Sequence, residues 1–152
     1  MDTRSGRMRA IAALVFFVYV LVVIDLTLVR SGYHYDTRQL NLVPFVGLIN
    51  VIEEAGLGRF LWLFLGNVGW FFPFGFLLPI VFQNVRSGCP VVGLGLLLSL
   101  TIEMIQYFTR RGVAELDDVI LNTLGTALGY LVYRVVKGVW QHRTSLDGPS
   151  RA

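Results

Sequence analysis

Cysteine, histidine and charge are the scarce materials of this 152-residue chain. A single Cys excludes a disulfide framework and a Cys-rich metal site. The two His, at positions 34 and 142, stand away from any motif. Charged residues make up 15% of the chain, against the roughly 25% with which a soluble domain covers its surface. The 5 Pro and 16 Gly follow no period, so a collagen-like repeat is excluded. What fills the chain instead is apolar, 55% of all residues, and an aromatic share of 13% is too rich for disorder. This is the composition of a membrane protein.

The apolar residues fall into four stretches, Ala10–Val29, Phe60–Phe82, Pro90–Phe108 and Asp118–Val136. Each approaches the ~20 residues needed to cross a ~30 Å hydrocarbon core. The expected fold is an all-α integral membrane protein, a four-helix transmembrane bundle. Residues 1–9 form a basic tail, 10–137 the transmembrane domain and 138–152 a polar tail. No soluble domain fits in the remainder, so function has to reside in the spans and the lips of the bundle. The first stretch exceeds the length of a signal-peptide core and no A-x-A-like site follows it, which predicts a retained anchor.

Orientation follows from the basic residues. With the N-terminus inside, Arg4, Arg7, Arg9, Arg86, Arg134, Lys137, Arg143 and Arg151 are cytoplasmic. Arg30, Arg38, Arg59, Arg110 and Arg111 are then external, which favours both termini inside. The net charge of +3 needs no nucleic-acid partner to explain it. Asp25 lies close enough to Arg30 to pair with it at the outer boundary.

The last two spans carry a polar pattern. Ser99, Glu103, Gln106 and Arg110 recur at helical spacing, and so do Asp118, Asn122, Gly125 and Gly129. The short link between the two spans makes them antiparallel neighbours, bringing both stripes to one end. A carboxyl inside a membrane costs a few kcal/mol unless it has partners. Glu103, Gln106, Asp118 and Asn122 are therefore expected to face inward, capped by Arg110 or Arg111. Below them, Gly125 and Gly129 form a G-x-x-x-G that permits close helix approach. Such a cluster is either a hydrogen-bond network that holds the bundle together or a binding or catalytic site.

Two further features lie upstream. Phe45, Leu48, Ile49 and Ile52 share one helical face behind Pro44, predicting a short amphipathic helix that ends near Gly56 or Gly58. It lies in the outer interface or is an ordinary connecting helix. In the second span Pro73 frees the Gly69 carbonyl, which bends the helix unless a neighbour satisfies the backbone there. Asn67 is the one strongly polar side chain of that span.

Asn41-Leu-Val-Pro-Phe45, Asn67 and Phe72-Pro-Phe-Gly-Phe-Leu-Leu-Pro79 resemble the first half of VanZ-like membrane proteins. Glu103-Met-Ile-Gln106, Arg111-Gly112, Leu116-Asp-Asp118 and Asn122-Thr-Leu-Gly125 resemble the second half. The resemblance covers about Asn41 to Tyr133. It implies a small polytopic protein of the bacterial plasma membrane, from a family named for accessory proteins of teicoplanin resistance. Its matching positions are Asn41, Pro44, Phe45, Asn67, Pro73, Glu103, Gln106, Arg111, Asp118 and Asn122.

Three functions compete. The polar cluster binds an amphiphile of the outer leaflet, a lipid-linked wall precursor or a lipidated glycopeptide, through Glu103, Gln106, Arg111, Asp118, Asn122, Asn41 and Asn67. Alternatively Glu103 is a general acid or base of an intramembrane enzyme, with Asn122 and Arg111 stabilising an anion. The third reading is a structural subunit of an envelope complex. The enzyme has less support: there is no G-x-S-x-G or H-E-x-x-H, and Cys89 is remote from the acids. No cofactor and no metal are expected; Glu103, Asp117 and Asp118 are too generic a set of acids to claim one.

Overall fold

The computed structural model describes residues 3–29 and 34–146. Four long helices dominate: α1 (Thr3–Ile24), α2 (Val46–Val81), α3 (Gly88–Thr109) and α4 (Leu116–Leu146). Four helical segments are long and apolar enough to cross a membrane: Gly6–Leu28, which runs on past the end of α1, Val46–Val81, Gly88–Thr109 and Leu116–Arg143. The helices overrun the apolar stretches read from the sequence, because a helix continues past the apolar boundary wherever good helix formers follow. Gln141 and Arg143 extend α4 in this way.

Three features were not anticipated. α1 ends in a π-helical turn, Asp25–Val29, whose wider coil leaves carbonyls open to outside donors. Two three-residue strands, β1 (Gln39–Asn41) and β2 (Val113–Glu115), pair in parallel, with Leu40 opposite Ala114 and Asn41 opposite Glu115. Both runs are too short for an alternating pattern to announce them. Finally, the helix expected to begin at Pro44 begins at Val46. Phe45 takes a left-handed conformation (φ 65°) at its cap, and Pro44 lies in the turn before it.

The parallel strands lead into α2 and α4, so these two helices run the same way. Their contact is backbone to backbone. A Cβ added at Gly125 would overlap the Val68 carbonyl, and one at Gly129 the Phe72 carbonyl. The G-x-x-x-G therefore serves α2, and only glycine fits there. α1 and α3 run in the opposite direction: Phe16 and Val91 belong to one core cluster, and Val23 and Ile102 to another. Aromatic residues fill the space between α1 and α2; the Phe16 and Phe74 rings lie 5.6 Å apart.

α2 is interrupted at Gly56, which has φ 78° and ψ 173°. This conformation suits a residue without a Cβ. Pro73, by contrast, leaves the backbone helical. Its neighbourhood is served from α1, where the Tyr19 hydroxyl donates to the Trp70 carbonyl. Asp25 has partners of its own, while its expected partner Arg30 lies outside the described residues.

Candidate functional site

Polar residues of α2, α3, α4 and the π-helical turn after α1 meet at one end of the bundle, where α1 and α3 finish and α4 begins. Glu103, on α3, is buried, and its Oε2 accepts the Glu115 backbone N–H at 2.9 Å. One turn deeper, Asn122 Nδ2 donates to Ser99 Oγ at 2.9 Å between two buried side chains. Asp118, in the first turn of α4, accepts from the Asn67 amide of α2. The neighbouring Asp117 is only 2% exposed. Its Oδ1 accepts the Phe45 N–H at 2.6 Å, holding the left-handed turn that starts α2.

The four residues expected to form one inward cluster thus divide among separate partners. Glu103 and Asn122 face the interior one above the other, and Asp118 ties α4 to α2. Gln106 turns toward α1 instead, its Nε2 donating to the Thr27 carbonyl in the π-helical turn at 3.3 Å. Arg111 reaches the Leu28 carbonyl of the same turn, at 3.5 Å. Arg110 donates to the Asp36 carbonyl at 3.1 Å, and its own carbonyl accepts the Tyr35 N–H at 3.0 Å. These hydrogen bonds fasten the segment after α1 onto the α3–α4 link, and both arginines are exposed. Asn41 Oδ1 accepts the Val43 N–H at 3.3 Å, shaping the approach to α2.

Three participants, Glu115, Gly47 and Arg38, were missed in the sequence, and a fourth, Asp117, was weighed only as one of a generic set of acids. Glu115 precedes the Leu116-Asp-Asp118 motif and sits on β2 beside Asn41. Burial raises its carboxyl above the usual range, and the nearby Asp118 and Asp117 charges raise it further. Asp117 was legible only as half of an Asp-Asp pair at a helix start, a position that suits acids generally. Gly47 marks where Asn41, Glu115 and Asp117 converge. A Cβ there would lie 3.4 Å from Asn41 Nδ2, 3.4 Å from Asp117 Oδ2 and 3.5 Å from Glu115 Oε2. Arg38 packs its guanidinium 5.6 Å from the Tyr107 ring centre and 5.5 Å from that of Phe108.

Beside the acids a groove of about 280 Å³ opens between β1, α3 and the start of α4. Leu40, Leu42, Leu100, Met104 and Phe108 supply an apolar wall, and Glu103 and Glu115 are its acidic side chains. Tyr107 and Phe108, on which Arg38 rests, also line it. Among the described residues, no three His, Cys, Asp or Glu side chains are disposed to hold a metal ion.

Four long apolar helices around a buried set of acids and amides define a multi-pass α-helical membrane protein. The chain belongs to the VanZ/LLP1 family, whose model matches residues 16–137. Protein VanZ of Enterococcus faecium is 36% identical over 105 residues, which cover 69% of this chain. The match spans 58% of that relative's length. No solved structure matches the chain.

Proposed function

We propose that this chain binds an amphiphile from the outer leaflet of the bacterial plasma membrane, a lipid-linked envelope component or a lipidated glycopeptide. The hydrocarbon lies along Leu40, Leu100 and Met104, and the polar head meets Glu103, Glu115, Asp118 and the amides of Asn41, Asn67 and Asn122. Gln106 and Arg111 act by fixing the rim, and Arg38 covers the Tyr107 and Phe108 rings there. Both tails are cytoplasmic, and the helical segment before Gly56 lies in the outer interface. Its exposed Val46, Ile49 and Ile52 suit that position. Where the amphiphile is a glycopeptide such as teicoplanin, holding it in the membrane keeps it from the wall and contributes to resistance.

The observation that carries this reading is the continuity of an apolar groove with buried acids. A network built only to hold helices together needs no such opening, and interhelical hydrogen bonds contribute on average under about 1 kcal/mol each. Native mass spectrometry of the protein purified in mild detergent tests it. Wild type is expected to retain a lipid-linked or other long-chain amphiphile, and Leu100→Trp, which fills the groove, to lose it. Equal retention by both proteins, or none by either, would reject the proposal.

A further inference from the structure

The chemistry of the head group can be taken further, on the assumption that the groove does bind an amphiphile. Four carboxyls stand at or behind the groove: Glu103, Glu115, Asp117 and Asp118. They accept hydrogen bonds from the backbone N–H groups of Glu115 and Phe45 and from the Asn67 amide. The site therefore presents acceptors in excess of donors. A phosphate or carboxylate head would set its oxygens against those of Glu103 and Glu115, acceptor against acceptor.

A second observation gives the place. Asp117 is 2% exposed, and its Oδ2 is buried without a hydrogen-bond partner. A buried acceptor left unmade costs about 1–3 kcal/mol. That oxygen faces the gap left by the missing side chain of Gly47, 3.4 Å from where a Cβ would stand, with Glu115 Oε2 3.5 Å away on another side. The gap is small, acidic on two sides and bordered by the Asn41 amide. No triad of acids converges as a metal requires. A single N–H-bearing cation satisfies two separated carboxylates without such convergence.

We infer that the occupant of the groove carries a primary ammonium head, which donates to Glu115 and Asp117 across Gly47 while its chain follows Leu40, Leu100 and Met104. Glu103 adds a third carboxyl at the groove wall.

Three probes of equal chain length test this: dodecylamine, dodecanol and dodecanoic acid, titrated onto the full chain in a sugar detergent. Affinity is read by native mass spectrometry and checked by thermal shift. Dodecylamine is expected to bind about tenfold more tightly than dodecanol, the scale of one charge-assisted hydrogen bond. Glu115→Gln should erase that preference, bringing dodecylamine down to the affinity of dodecanol. Gly47→Ala should do the same, because its methyl makes only ordinary contacts at 3.4–3.5 Å yet fills the gap. The Glu115 side chain is not the group that bonds Glu103, so both variants should keep the fold, and a ligand-free melting temperature no lower than that of wild type checks this.

Equal or tighter binding of the alcohol or the acid overturns the ammonium head while leaving a lipid-binding groove in place. A preference that survives both Glu115→Gln and Gly47→Ala overturns the assignment as well. Binding of none of the three, with Leu100→Trp indistinguishable from wild type, overturns the inference and the groove together.

Discussion

The backbone N–H of Glu115 donates to the carboxylate of Glu103, 12 residues earlier, at 2.9 Å. An acid on α3 is thereby satisfied by the strand that precedes α4, and not by an amide across the helix pair. This contact couples an acid of the groove wall to β2, and β2 is paired with β1, which leads into α2.

Gly129→Leu should prevent close packing of α4 on α2, since even a Cβ meets the Phe72 carbonyl. The expected loss is about 3 kcal/mol, seen as a lower melting temperature and lower yield in detergent. Gly66→Ala is the control, because nothing stands within 4 Å of a Cβ at that position.

Asn122 and Ser99 should behave as a coupled pair. A double-mutant cycle with Asn122→Ala and Ser99→Ala, measured by unfolding in mixed micelles, is expected to give a coupling of about 0.6–1.7 kcal/mol. Additivity would show that their 2.9 Å hydrogen bond contributes nothing.

Asp117→Ala removes the acceptor that holds the Phe45 amide. A left-handed Phe costs about 1–3 kcal/mol and persists only while its surroundings hold it. Hydrogen exchange across residues 42–50 should therefore speed up in the variant, with the amides of α3 changing little.

Glu115 makes stability depend on pH in a defined direction. Its carboxyl is raised in the folded protein by burial and by Asp118 and Asp117. The folded state thus holds its proton more tightly than the unfolded chain does. The stability from this group is fully present below the unfolded value of about 4.3, and falls as pH rises from there through the raised value. Glu115→Gln should remove that fall, so the gap between variant and wild-type melting temperatures widens in favour of the variant on going from acid to neutral pH.

Cys89 tests the orientation directly. It is exposed at the start of α3, at the end of the bundle opposite the site. In intact cells a membrane-impermeant maleimide should leave it unlabelled, while Leu42→Cys in a Cys89→Ser background should react. The reverse pattern would place the groove on the cytoplasmic side.

How far the site could be read beforehand depends on the range of the interactions involved. Glu103, Asn122, Asp118 and Asn67 were identifiable because a polar side chain in an apolar run carries a penalty visible one residue at a time. Gln106 and Arg111 were recognised as participants, yet their partners are carbonyls of the π-helical turn at Thr27 and Leu28. No side-chain pattern announces a backbone acceptor. Glu115 and Arg38 escaped because both lie in polar connecting segments, where a charge is ordinary.

The number of spans and the glycines of α4 follow from the order of residues, because hydrophobic length and the absence of a Cβ are properties of single positions. Which helix those glycines meet, the pairing of β1 with β2, and the groove where Leu40 comes beside Leu100 belong to the folded chain. These are contacts between segments tens of residues apart, and only the packing of the whole bundle selects them.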